Sequence, residues 1–265
     1  MNWLDRQDVE PVAIYQCFHK PYPKPPANRW IKPLAVGQYE EPGMLSERTG
    51  NNRADHNPYF NEISALYWIW KNTQDPIVGL YHYRRVMGFK LDSTWKDPFG
   101  YRMEVSDFVL QYFSSDEQLA ALHRLMSCSD LIIPRLTVTG GASADQYCKV
   151  HDPESWAVFM EELERHQPEL MPYRVLYEHT NLVTAFNMFV MRREWLDRFC
   201  TDLFSVIDAV FARIGPRTHF YLKRYPGFIS ERFMLPWMRH HRLRVTEVPM
   251  ILIEEPGAPE PIMLK

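Results

Sequence analysis

The chain of 265 residues is short of cysteine, of long apolar runs and of excess charge, and each shortage excludes a class of protein. Its four cysteines, Cys17, Cys128, Cys148 and Cys200, stand far apart, without the paired spacing of a structural metal site. No secretion signal precedes them, so free thiols in a reducing, cytoplasmic compartment are expected. No apolar stretch approaches the ~20 residues that span a bilayer, the longest candidates being broken by Asn187 or by charges. A soluble protein is expected, at most peripheral to a membrane. The net charge of −3 comes from acids and bases mixed along the chain, so no broad basic face is offered to nucleic acid. No low-complexity linker divides the sequence, and one domain over residues 1–265 is expected.

Aromatic residues, by contrast, are plentiful at 14%, with eight tryptophans, which serves a large core first and a sugar-binding cleft second. The densest information lies in residues 61–85, where the apolar segment IVGLY at 77–81 runs into His82, Tyr83, Arg84 and Arg85. IVGLY reads as a short buried strand, and ligands in open α/β sheets bind where such strands end. Adjacent guanidinium forks there suit phosphate or carboxylate oxygens, or else serve as solvated or acid-paired surface charges.

Strand and helix patterns alternate along the chain, which predicts an α/β fold. PVAIYQCF at 11–18 reads as a first strand, followed by His19, Lys20 and a proline-rich extended loop toward residue 56. Pro58 suits the start of a helix carrying Ile63, Leu66, Tyr67 and Trp70 on one face. Asp116 to Met126 reads as a helix, DLIIP at 130–134 as a strand, and Gly140 and Gly141 open a helical region containing Gln146, Tyr147 and His151. TAFNMFVM at 184–191 reads as a strand and Arg193 to Phe211 as an amphipathic helix. Ser230 and Glu231 are expected near a helix start, Pro236 threatens that helix, and residues 244–253 form a last strand.

These segments carry a resemblance. His19-Lys20, Val36-Gly37, TGNN at 49–52, NPYFNEISALYWIWKN at 57–72, GLYHYRR at 79–85, NMFVMRREWLD at 187–197 and GFISERF at 227–233 resemble, in this order, a family of bacterial capsular and exopolysaccharide biosynthesis proteins known as a domain of unknown function. The resemblance spans nearly the whole chain. It implies a glycosyltransferase with a single GT-A-like domain, a mixed and mostly parallel sheet flanked by helices. Members are linked to transfer of galactose, including its furanose form, from a UDP-sugar. The implied acceptor is a growing capsule, exopolysaccharide or O-antigen glycan, lipid-linked at the membrane.

Glycosyl transfer passes through an oxocarbenium-like transition state while negative charge builds on the departing diphosphate. Many GT-A enzymes meet that charge with a metal held by Asp-x-Asp, and the sequence contains no Asp-x-Asp anywhere. His82, Tyr83, Arg84 and Arg85 stand where that motif is expected, so fixed cations are expected to replace the metal, with no cofactor. His82 alternatively is a buried histidine satisfied by a backbone carbonyl. An inverting transfer needs a carboxylate to deprotonate the acceptor. Glu231 in GFISERF is the first choice; its alternative use is to cap the helix or pair with Arg232 or Arg224. Glu62 is the second choice, or else a buried structural acid. His19 and Lys20 are expected to flank the nucleotide. Asn187, Met188, Tyr147, His151 and Arg232 are assigned to the sugar or acceptor side, although Asn187 has a purely backbone-satisfying alternative. A catalytically inert glycan- or nucleotide-binding subunit is the rival to the enzyme.

Overall fold

Strand β1 (Val12–Phe18) is buried along its whole length, as a strand covered on both faces must be. The computed structural model describes residues 10–91 and 101–257. After β1 come β2 (Ile31–Ala35), β3 (Leu45–Ser46), helices α1 (Asn57–Phe60) and α2 (Glu62–Asn72), then β4 (Ile77–His82), β5 (Arg85–Met87) and β6 (Tyr101–Glu104). Helices α3 (Asp107–Phe113) and α4 (Asp116–Met126) lead to β7 (Leu131–Pro134) and β8 (Thr137–Val138). Next are α5 (Ser143–Val150), α6 (Pro153–His166), α7 (Arg174–Glu178), β9 (Leu182–Val183) and β10 (Phe189–Arg192). The long α8 (Arg193–Ile214) and α9 (Tyr225–His240) precede β11 (Val245–Val248) and β12 (Met250–Glu254).

The main path of a ten-stranded sheet runs β11-β7-β10-β4-β1-β2-β3. Along it β1 pairs in parallel with β2 and β4, β2 with β3, and β7 with β11. Only β10 opposes its neighbours on this path, antiparallel to β4 and β7. The architecture is therefore the α/β fold that the alternation predicts, with the mixed, mostly parallel sheet flanked by helices that the family resemblance implies. An antiparallel strand starts at the edge where its neighbours finish. The residues leading into β10 thus arrive beside the C-terminal end of β4.

Alternation along the strands feeds two cores. Ala13, Tyr15 and Cys17 of β1, with Val78 and Leu80 of β4, pack against α2, α6, α8 and α9; Val12, Ile14, Ile77 and Tyr81 pack against α3, α4 and β12. At the crowded centre, a Cβ on Gly79 would stand 2.9 Å from Ile14 Cγ1 and 3.1 Å from the Phe189 carbonyl oxygen. A side chain there would separate β4 from its partners.

Several expectations change. The segment after His19 contains β2 and β3, concealed by its prolines; Pro33 lies in β2, next to the short edge strand β3, which pairs only with Leu34 and Ala35 and so demands no N–H from it. The chain does not simply leave the sheet after β4: His82 pairs with Arg85, so Tyr83 and Arg84 form the turn of a tight hairpin. The helix opened by Pro58 breaks at Asn61, whose φ of 50° and ψ of −130° lie outside helical space. The strand expected at 184–191 is regular only from Phe189, because Phe186 and Asn187 take left-handed φ values of 74° and 50°. Helix α9 starts at Tyr225 with proline in its first turn, which puts Ser230 and Glu231 inside it, and it continues through Pro236. Fully buried Phe233 and Trp237 on either side of Pro236 hold the helix through that missing hydrogen bond. The last strand splits at Pro249 into β11, on β7, and β12, on β5 and β6.

Candidate active site

The C-terminal ends of β1 and β4 present His19, Lys20, His82, Tyr83, Arg84 and Arg85 at one edge of the sheet. The break between α1 and α2 brings Asn61 and Glu62 to the same edge. The turn into β10 brings Phe186 and Asn187, and α9 brings Gly227, Glu231 and Arg232, with Arg224 just before it. Both candidate carboxylates therefore belong to one cluster although 169 positions separate them in sequence (231 − 62).

His82 is the hub. Its side chain is 7% exposed, and its Nε2 meets the carbonyl oxygen of Phe186, which can only accept. Its Nδ1 lies 3.1 Å from an Arg85 nitrogen, which can only donate, and 3.2 Å from a Glu62 carboxylate oxygen. Desolvation lowers the His82 pKa despite the opposing pull of Glu62. His82 is thus a buried histidine satisfied by a backbone carbonyl and also a structural neighbour of the catalytic candidates.

The two carboxylates differ. For Glu62, desolvation works upward, but His82, a backbone hydrogen bond, Arg224 and Arg85 together outweigh it and hold the carboxyl below its ordinary pKa. For Glu231, desolvation prevails over Arg232 and the Phe186 N–H, and the proximity of Glu62 adds to it, so its pKa is raised. One Glu231 oxygen accepts the Phe186 N–H at 2.9 Å; the other lies 3.7 Å from Arg232. Glu231 therefore caps no helix. It clamps a strained turn with one oxygen and holds the other beside a cation.

That turn is tied down on every side. Thr184 donates its hydroxyl to the Glu231 backbone carbonyl, Asn187 Nδ2 donates to the Gly227 carbonyl at 3.2 Å, and the Arg85 guanidinium lies 4.8 Å from the centre of the Phe186 ring. Two consecutive non-glycine residues at positive φ persist only where the surroundings over-determine them. Across the cluster, Asn61 accepts from Arg224 Nε at 3.0 Å, which fixes that arginine next to Glu62.

The remaining assignments divide. Arg84 and Arg85 do not act as a pair: Arg84 turns to Glu254 at 3.4 Å, an acid also engaged by Arg102, whereas Arg85 turns inward to His82. Tyr83 gathers residues expected to flank a nucleotide, with His19 and Tyr22 rings each 4.9 Å away and Lys20 Nζ 5.4 Å from its centroid. Arg232 is buried beside Glu231 and donates to Gln146 at 2.6 Å. Two residues assigned to the sugar side are corrected. Tyr147 is fully buried with its hydroxyl 2.9 Å from Ser155, and Met188 is buried in the core on the α4 side of the sheet. Asn187 reaches the backbone of α9, the alternative considered for it. His151 follows α5 and is buried against aromatic rings. Sequence reasoning passed over Phe186 and Asn61, whose torsions carry no sequence signal, and treated Arg224 only as an ion-pair partner; its place three residues before GFISERF was the available clue.

Residues 13–242 match the family model described as Domain of unknown function (DUF4422), and the chain belongs to that family. No curated protein matches it at significant similarity. Among solved structures it is similar to the apo structure of WbbM, a bifunctional glycosyltransferase, with a TM-score of 0.81 and 25% identity over 96% of this chain. The match takes in 48% of the WbbM chain, so this chain spans about half the length of that protein. Among the described residues, no helix is long and apolar enough to cross a membrane, and no three or more His, Cys, Asp or Glu side chains are grouped to hold a metal ion.

Proposed function

We propose that the chain is a glycosyltransferase, acting as one GT-A-like unit over residues 1–265. It moves a hexosyl group, galactose in its pyranose or furanose form, from a UDP-sugar to a growing capsule, exopolysaccharide or O-antigen glycan. The observation that carries the reading is the convergence of Glu62 and Glu231, held at different pKa values, with Arg85 and Arg224 at the C-terminal edge of the sheet. Carboxylates pushed apart in this way take different roles. Glu62, tied to His82 and lowered, stays an anion that orders the cluster. Glu231, raised, is the better proton acceptor and deprotonates the acceptor hydroxyl as it attacks, inverting the anomeric centre.

On the donor side, Tyr83 with His19, Lys20 and Arg84 receives the nucleotide and its diphosphate, whose growing charge is met by fixed cations in place of a metal. The missing Asp-x-Asp supports this metal-independent reading. The protein works in the cytoplasm, peripheral to the membrane that holds its lipid-linked acceptor. A thermal-shift screen against UDP, GDP, CMP and dTDP sugars tests the donor, because a ligand of the folded state alone raises the melting temperature. A shift with a UDP-sugar, followed by its slow hydrolysis, is expected. A protein that binds but never hydrolyses is the inert subunit, and one that binds no nucleotide refutes the reading.

A further inference from the structure

An aromatic wall leads away from Glu231. Phe228 lies one turn before Glu231 on α9, and the Arg224 guanidinium sits 5.3 Å from its ring centre. His151 stacks on Phe228 with centroids 4.0 Å apart and planes at 23°, and Tyr221 joins them, stacked on His151 at 5.5 Å and tilted against Phe228 at 5.0 Å. Tyr221 lies within electrostatic reach of Glu231 and Arg224. Phe220 follows at 6.5 Å from Tyr221 and is 78% exposed. Rings thus run without interruption from the candidate base to solvent.

One feature of this wall is unexplained by folding. A phenylalanine left mostly in water gains nothing for the core, and here it continues a row of rings that begins beside the candidate base. A pyranose ring suits such a surface, since it presents a face of C–H groups to an aromatic ring. We propose that Tyr221 and Phe220 form the platform on which the terminal hexopyranose of the acceptor glycan stacks. The proposal rests on the reading of Glu231 as the base, whose acceptor must approach from beside it. Acceptors lacking a pyranose ring at this position are disfavoured.

The probes are methyl β-D-galactopyranoside, methyl β-D-glucopyranoside and methyl α-D-mannopyranoside, followed by saturation-transfer NMR on the full chain, with UDP affinity measured in parallel. At least one pyranoside should receive saturation on its C–H face from the wild type. Phe220→Ala and Tyr221→Ala should each weaken it by about fivefold, the size of an aromatic stacking contact. Tyr221→Phe should keep it, and UDP affinity should not move. Phe220 is exposed, so its truncation tests the platform even if Tyr221→Ala fails to fold. No pyranoside bound by the wild type, or binding unchanged in Phe220→Ala, overturns the platform. Pyranoside binding lost in the variants, by a protein that binds no UDP, supports the platform and sinks the glycosyltransferase reading instead.

Discussion

Glu231 does two jobs with two oxygens, and this makes its amide a clean probe. In Glu231→Gln the carbonyl oxygen can still accept the Phe186 N–H, now made at 2.9 Å, so the strained turn survives. The other position becomes an NH2 and can take no proton. Transfer should fall by about 100-fold or more while UDP affinity and melting temperature hold, as expected for loss of a general base. Because the Glu231 pKa is raised, the wild-type rate should fall on acidification at a higher pH than an ordinary glutamate would impose, and the variant should lose that limb. A stable variant with near-normal transfer removes Glu231 from the chemistry and points to Glu62. His151 offers a second residue-level test. Desolvation, with Arg232 and Arg224, pushes its pKa from 6.5 down to about 3. The unfolded chain binds its proton more readily, so this contribution to stability is complete above pH 6.5 and drains away as pH falls toward about 3. His151→Phe keeps the stack and should flatten that part of the melting-temperature profile; an unchanged acid slope would show that other groups cause it.

At the scale of elements, the cluster depends on how closely α9 approaches the break between α1 and α2. A Cβ on Gly227 would meet Asn61 Nδ2 at 2.8 Å and the Phe60 carbonyl oxygen at 3.4 Å. Asn61 holds Arg224, and its backbone is already outside helical space. Gly227→Ala gains up to ~1 kcal/mol of helix propensity against ~2 kcal/mol of overpacking, a net loss of about 1 kcal/mol. Its larger effect should fall on turnover, by about tenfold, through a displaced Arg224 and Glu62. Calorimetry and transfer assays on the same variant separate the two, and wild-type turnover would mean that the contact carries no function. Opposite this joint, Glu47 is fully buried and accepts from the Gly37 N–H, and the Ser64 hydroxyl lies within reach of both Glu47 at 3.0 Å and the Asn61 carbonyl oxygen at 2.9 Å, to one of which it donates. Gly37, Ser64 and Asn61 all fall in the segments that carry the family resemblance, which act here as a brace for Glu62.

For the whole molecule, the question is whether fixed charges do the work of a metal. Lys20, Arg84, Arg85 and Arg224 all border the edge where β1 and β4 end, in a chain whose net charge is only −3. Such local concentration of cations points to an anionic ligand rather than to a generally basic surface. UDP binding measured by calorimetry should therefore be the same with and without EDTA. Loss of binding on chelation would contradict the metal-independent reading and require ligands beyond the groupings among the described residues.

The sequence by itself determined the elements whose stability is local or nearly so. IVGLY, DLIIP and PVAIYQCF became strands because they are apolar on both faces, and 116–126 and 193–211 became helices because their apolar residues recur at helical spacing. The α/β class and the placing of His19 and His82 at strand ends follow from the same patterns. Tertiary structure decided the rest. The direction of β10 depends on pairing with β4 and β7, and that direction delivers Phe186 and Asn187 to the site in torsions no local preference favours. The hairpin at Tyr83 and Arg84 sends the side chains of adjacent arginines to different partners, Glu254 and His82, which two identical letters cannot reveal. Pro236 argued for a break that burial of its neighbours overrode, and only the packing of α9 on the α1–α2 joint brings Glu231 to Glu62. Local periodicity is written in consecutive residues, whereas a site is a set of distances between residues far apart in the chain, settled by how the layers pack.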